Sequence, residues 1–107
     1  MITVVWDTWL KPGTEEEGLR LTRQVWSDMQ SFDGFISHRI LIDEDAPGHI
    51  MALARWRSRS DADAVREKYK DSETIRQLTP LLARPRDRWI MREDQAGRGC
   101  GNYRATL

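Results

Sequence analysis

The order of strand-like and helix-like segments limits the folds open to this chain more than any other feature. Runs of β-branched, aromatic and other apolar residues predict four strands, at Ile2 to Leu10, Phe35 to Ile42, His49 to Arg57 and Arg86 to Glu93. Apolar residues at helical spacing follow the first and the third of these strands. The resulting order β-α-β-β-α-β predicts an α+β, ferredoxin-like fold, in which both helices cover one face of a four-stranded antiparallel sheet.

Capping residues indicate where the helices begin and end. The first helix is predicted to begin after Thr14, with Glu17 completing a capping box, and to end near Gly34. The second is predicted to begin at Ser60, and Ser72 is expected to interrupt and recap it. Isoleucine and leucine residues continue its apolar side beyond the interruption.

Length and charge exclude several classes of protein. The 107 residues predict one domain over residues 1–94, followed by a flexible Gly-rich tail at 95–107 that holds the single cysteine, Cys100. Seventeen Lys and Arg balance seventeen Asp and Glu, so a neutral or apolar small ligand is expected rather than a nucleic acid or a membrane. The apolar runs are far shorter than the about 20 residues that span a bilayer. With no signal-peptide pattern after Met1, a cytoplasmic location is expected.

The period of two along the strands assigns different roles to the two sheet faces. In the second strand, this alternation turns Ile36 toward the helices and Phe35 away from them. The face away from the helices carries an apolar set that a soluble monomer seldom leaves exposed. Its members are Val5, Trp9, Phe35, Leu41, Met51 and Leu53. We therefore predict a homodimer formed through this face.

The face toward the helices carries residues typical of a pocket for a flat organic ligand. Large rings beside small side chains leave space, and aromatic walls with one polar group suit such a ligand. The predicted pocket residues are Trp6, His38, Ala52, Ala54 and Trp56 from the sheet, with Trp26 and Tyr69 from the helices. His38 is the ionisable group of this set best suited to act as a base near neutral pH. The alternative is a filled core in which His38 hydrogen-bonds a backbone carbonyl.

Other polar groups are interpreted as structural. His49 is expected on the opposite face, at the surface or in an interface, and receives no role. Two rows of alternating arginines are interpreted as salt-bridged, solvated faces, with a clamp for an anionic substrate as the alternative. They are Arg55, Arg57 and Arg59, and Arg84, Arg86 and Arg88. Because the chain lacks the usual nucleotide-binding, nucleophile-elbow and zinc-protease motifs, neither a cofactor nor a metal is expected.

Three short stretches resemble the antibiotic biosynthesis monooxygenase family. They are Leu10-Lys11-Pro12-Gly13 before an acidic helix start, Gly34-Phe35-Ile36-Ser37-His38-Arg39 at the second strand, and Arg55-Trp56-Arg57-Ser58 at the end of the third. The resemblance covers about residues 2–92. It implies a dimeric α/β barrel, in which two ferredoxin-like subunits pack sheet to sheet.

The resemblance also implies a chemistry. One branch of the family oxidises aromatic polyketides with molecular oxygen and without metal or flavin, which assigns the catalytic roles to His38 as the base and Trp56 as the stacking partner. A haem-degrading branch needs an Asn in strand one and a His in helix two. Here Trp6 stands at the Asn position and no His occurs between Ser60 and Arg84, so haem degradation is not expected.

Two further functions stay open at this point. The same fold can serve as a non-catalytic ligand-binding or structural dimer, because a fold does not fix an activity. Similar barrels also act as polyketide cyclases, which guide ring closure without oxygen.

Overall fold

The computed structural model describes residues 1–94, and its elements follow the predicted order. The predicted tail at 95–107, with Cys100, lies outside the described residues. The elements are β1 (Ile2–Trp9), α1 (Glu15–Met29), β2 (Phe35–Ile42), β3 (His49–Trp56), α2 (Arg59–Tyr69), α3 (Glu73–Leu78), a 3-10 turn (Thr79–Leu81) and β4 (Asp87–Met91). The second helical region is divided in two because the Ser72 side chain accepts a hydrogen bond from the backbone N–H of Ile75 at 3.2 Å, which confirms the predicted recapping.

One predicted helix start and one predicted capping interaction differ from the structure. The N-cap of α2 is Ser58, whose hydroxyl accepts from the backbone N–H of Asp61 at 3.1 Å, so the helix begins before Ser60. Thr14 precedes α1, but its hydroxyl donates to the Lys11 carbonyl at 2.7 Å and makes no cap bond. The predicted capping box is therefore wrong, and the acidic first turn of α1 still interacts favourably with the helix dipole.

The sheet has the strand order β2-β3-β1-β4, and all its neighbours are antiparallel. In β3 the burial alternates residue by residue, with every second side chain, from Ile50 to Trp56, buried under the helices. The register places Trp6 opposite Ala52 and Val4 opposite Ala54. These positions confirm the predicted helix-facing side of β1 and β3.

A β-bulge at the start of β2 corrects the predicted faces of two residues. Phe35 pairs with Trp56 and Ser37 with Arg55, so β2 advances two residues while β3 advances one. Phe35 consequently turns toward the helices, where its ring meets Trp56 edge-on with the centroids 5.4 Å apart. Ile36 turns outward and is 46% exposed. Beyond the bulge, His38 shares the helix-facing side with Ala54, as predicted.

The opposite sheet face carries exposed apolar side chains among polar ones. Val5 lies opposite Leu53 in β3 and opposite Trp89 in β4, and Leu41 lies opposite Met51. Trp89 is 42% and Leu41 49% exposed. Among residues 1–94, no helix is long and apolar enough to cross a membrane.

Candidate functional site

A cavity of about 700 Å³ lies between the helices and the sheet. Its walls come from β1, β3, α1, α2, α3 and the segment that joins α3 to β4. The volume falls within the range of pockets that hold small organic ligands. Its aromatic and apolar walls include Trp6, Val25, Trp26, Met29, Trp56 and Tyr69.

Four of the seven predicted site residues line this cavity, namely Trp6, Trp26, Trp56 and Tyr69. Ala52 and Ala54, which belong to β3, are buried in the core and do not line it. Neither side chain extends beyond its Cβ, so the two alanines leave room beside the larger rings on the same sheet face. They therefore shape the space without forming the wall.

His38 is not one of the lining residues. Its ring packs against Trp26, with centroids 6.1 Å apart and an interplanar angle of 20°, and also contacts Phe35 at 6.0 Å. Within residues 1–94 its ring nitrogens make no hydrogen bond, so the described structure lacks the backbone bond that a purely structural histidine was expected to make. The His38 ring therefore contacts Trp26, which lines the cavity, but does not border the cavity itself.

Tyr69 is a fixed wall of the cavity. Its hydroxyl donates to Asp28 Oδ2 at 2.6 Å and thereby ties α2 to α1. Burial, and then the hydrogen bond to Asp28, raise the pKa of the Tyr69 phenol. The hydroxyl stays protonated near neutral pH, and its hydrogen is already donated to Asp28.

Among residues 1–94, the cavity lining contains cations but no carboxylate. The six basic residues are Lys11, Arg66, Lys70, Arg84, Arg86 and Arg88. Three of them have acidic partners outside the lining, and for Arg84 and Arg88 this agrees with the salt-bridged interpretation of their row. The pairs are Lys70 with Glu67 at 2.6 Å, Arg84 with Asp7 at 3.6 Å, and Arg88 with Asp63 at 2.9 Å.

Arg86 differs from its neighbours in the arginine row. Its guanidinium carbon lies 4.6 Å from the centroid of the Trp6 ring, and the group forms no ion pair within residues 1–94. Burial and the nearby charge of Arg66 lower the pKa of Arg86. The alternating spacing of the three arginines could not reveal this difference, because it depends on which acidic residues the fold brings close.

A second polar cluster lies on the opposite sheet face, which is the face predicted for His49. The His49 ring bridges two carboxylates: Nδ1 is 2.7 Å from Asp43 Oδ2, and Nε2 bonds to Asp7 Oδ1. Trp9 stacks on this ring with centroids 4.0 Å apart, and its Nε1 donates to Asp7 Oδ2 at 3.2 Å. We call Asp7, Trp9, Asp43 and His49 the outer-face cluster.

In the outer-face cluster, both carboxylates are paired with the His49 ring. The hydrogen bond to Asp43, opposed by burial and reinforced by Asp7, raises the pKa of His49. The same bond lowers the pKa of Asp43. This network was not predicted from the sequence. The one signal for it was Asp7, an acid within an apolar strand that proves to be 7% exposed.

The sequence model of the antibiotic biosynthesis monooxygenase family matches residues 1–76. The chain belongs to this family. Its fold resembles that of SnoaB, a cofactor-independent oxygenase from Streptomyces nogalater, with a TM-score of 0.73 and 15% identity over 88% of this chain and 95% of that one.

Two other solved structures are similar to this family member. Rv0793 from Mycobacterium tuberculosis is 22% identical over 89% of this chain and 97% of its own, with a TM-score of 0.72. A conserved protein from Methanosarcina mazei Go1 gives a TM-score of 0.72 at 18% identity, over 87% and 92% of the two chains. No curated protein matches the chain. At these identities the similarity establishes the ferredoxin-like fold, which confirms the predicted fold class.

Proposed function

We propose that this family member is a cofactor-independent monooxygenase that oxidises a phenolic, polyketide-like aromatic small molecule with molecular oxygen. The observation that carries the proposal is the cavity of about 700 Å³ walled by Trp6, Trp26 and Trp56. Such walls suit a flat, electron-rich substrate, because stacking on indole rings holds it without hydrogen bonds. The fold similarity to SnoaB adds support.

The reaction needs a base, a dry site and oxygen. Removal of a phenolic proton gives an anion, which passes one electron to molecular oxygen to form a substrate radical and superoxide. The two recombine at a substrate carbon into a peroxide anion. This anion takes up a proton to give a hydroperoxide. The terminal OH group and the hydrogen on the same carbon then leave as water, and the remaining oxygen becomes a carbonyl of the quinone. Trp56, which is 3% exposed, would stack on the substrate and exclude water.

We assign the role of base to His38, whose ring nitrogens are free of hydrogen bonds within residues 1–94. A base must come within about 3 Å of the proton or act through one water molecule. Because His38 contacts Trp26 rather than the cavity itself, the transfer requires a bridging water or a different position of the Trp26 ring. His49 is the less suitable histidine, since both its nitrogens are engaged by carboxylates.

Oxygen dependence tests the reaction class. An anthrone with phenolic hydroxyl groups is incubated with the protein in air and under nitrogen, and the quinone is followed by its absorbance. Quinone that forms only in air, with one oxygen molecule consumed per product, supports the oxygenase. A cyclised product formed equally fast under nitrogen favours the cyclase, whereas binding without turnover favours the non-catalytic dimer.

The role of His38 has its own test. We expect His38→Gln to lower kcat by about a hundredfold, the usual contribution of a positioned base, and to leave binding of the anthrone unchanged. Arg39→Gln, a neighbouring change on the other sheet face, is the control. Full turnover by His38→Gln would mean that another group removes the proton.

We also propose a homodimer through the outer sheet face that carries Val5, Trp9, Met51 and Leu53, since dimers are common in this fold family. The exposed Leu41, Trp89 and Met91 extend the same apolar surface. A soluble monomer seldom leaves so large an apolar patch open. The cytoplasmic location stays a prediction from the sequence.

A further inference from the structure

We propose that the cavity selects an aromatic ligand that bears a carboxylate, and that Arg86 binds this carboxylate while the tryptophans hold the ring. The ring-binding half of this inference rests on the proposed function. The carboxylate half rests on the charges of the cavity wall. It replaces the neutral ligand that the overall charge balance favoured.

The lining cations differ in whether the protein itself neutralises them. Lys70, Arg84 and Arg88 each have an acidic partner at 2.6–3.6 Å. Lys11, Arg66 and Arg86 form no ion pair within residues 1–94, but Lys11 and Arg66 are exposed to water, whereas Arg86 is partly buried. Arg66 lies close enough for its charge to disfavour that of Arg86. A partly buried charge without a counter-ion is unfavourable, and an anion bound in the cavity would compensate it.

The position of Arg86 leaves its donors available. Its guanidinium carbon lies 4.6 Å from the centroid of the Trp6 ring, and no hydrogen bond or ion pair engages its N–H groups within residues 1–94. The N–H groups of a guanidinium point outward in its plane, in the fork that matches the two oxygens of a carboxylate. A ligand with a carboxylate on its ring can therefore bind Arg86 at the edge while its ring meets the tryptophans.

A second cation lies beside the same ring. The Arg88 guanidinium lies 5.7 Å from the centroid of the Trp6 ring, and one of its terminal nitrogens is committed to Asp63. Its Nε is buried and has no hydrogen-bond partner in the described structure. Because this atom has almost no surface open to the cavity, Arg88 contributes positive charge beside Trp6 rather than a free donor.

The test compares two compounds that differ only in charge. 2-Naphthoate and its methyl ester share the same rings, and their binding to the full chain is measured by calorimetry and by tryptophan fluorescence. We expect the acid to bind about tenfold more tightly, or better, than the ester, as a charge-assisted contact predicts. Arg86→Gln should remove most of this preference and leave the affinity for the ester unchanged.

Two matched variants complete the design. Arg86→Lys keeps the charge but loses the two-pronged contact, so it should retain part of the preference. Arg23→Gln removes one exposed charge from α1, outside the cavity lining, and should alter neither affinity. Inorganic phosphate, which has no ring, should compete only weakly with 2-naphthoate.

Each contrary result has a distinct meaning. Equal affinities for acid and ester would overturn the carboxylate assignment and leave the aromatic cavity standing. Equal loss of both ligands in Arg86→Gln would reduce Arg86 to a packing role and would also overturn it. Phosphate that binds as tightly as naphthoate would contradict the aromatic half, and binding of neither naphthalene compound would overturn the ligand site together with the proposed function. Absence of oxygenase turnover with binding intact would contradict only the proposed function.

Discussion

The two faces of the sheet differ in whether the protein itself neutralises their charged side chains. On the outer face, His49 sits between Asp7 and Asp43, so the protein supplies both signs. On the helix side, Arg86 lies on Trp6 without an acid within residues 1–94. Both arrangements remove charge from water, but only the first is neutralised internally. The difference indicates that the outer-face cluster stabilises the fold, whereas the cavity wall is completed by something that binds.

The largest expected effect concerns what covers the outer face. Leu53→Asp places a carboxylate at the proposed dimer contact, where burial of an unpaired charge is strongly unfavourable. We expect the dimer dissociation constant to rise by about a hundredfold or more. Gel filtration with light scattering measures it, and Arg23→Gln is the control with the same change in net charge. A wild-type protein that is monomeric at high concentration would show that this face is not the dimer contact.

The next effect tests whether the outer-face cluster stabilises the fold. Asp7→Asn removes the buried charge that His49 and the Trp9 indole N–H both engage. We expect the free energy of unfolding to fall by about 1–3 kcal/mol, as for a lost hydrogen bond to a charged group. Urea unfolding measures the change, and Asp45→Asn, at an exposed site, should have little effect. An unchanged midpoint in Asp7→Asn would mean that the cluster is not stabilising.

The pH dependence of stability separates the members of the cluster. The folded pKa of His49 lies above its ordinary 6.5, so its contribution is complete below that pH and is lost as pH rises through the raised value. The folded pKa of Asp43 lies below its ordinary 3.8, so its contribution is complete above that pH and is lost as pH falls. Between these limits, the difference in unfolding free energy between wild type and His49→Gln should be largest. A difference that grows above neutral pH would contradict the raised pKa.

The smallest expected effect is an unchanged or slightly increased stability rather than a loss. Since Arg86 is desolvated without an acidic partner, Arg86→Gln should leave the ligand-free protein as stable as wild type or more stable by up to about 1 kcal/mol. Thermal unfolding without ligand measures this change. A marked loss of stability would show that Arg86 serves the fold, and the contrast between the two faces would disappear.

The sequence predicts the layers of this fold well because local spacing determines them. The period of two in β3 gives its buried side, and Ser72 marks the break between α2 and α3. The predicted faces of Phe35 and Ile36 were wrong because of the bulge. A bulge arises from how two strands pair, and the sequence of neither strand alone specifies it.

The candidate site was predictable only in part. Trp6, Trp26, Trp56 and Tyr69 line the cavity because they lie on the predicted inner sides of their elements. The sequence could not predict that Arg88 is paired and Arg86 is not, since this depends on the fold bringing Asp63 of α2 close to Arg88 only. Likewise, the bond between Asp7 and His49 joins residues 42 positions apart, which only the register of β1 with β3 brings together.

The bulge at Ile36 also affects how the molecule avoids aggregation. β2 is an edge strand, and its sequence FISHRILI is of the strongly apolar kind that can pair with strands of other molecules. The bulge breaks the regular row of backbone donors and acceptors near one end of this edge, and Arg39 places a charge in its middle. The irregularity that turns Phe35 inward therefore also protects the open edge of the sheet.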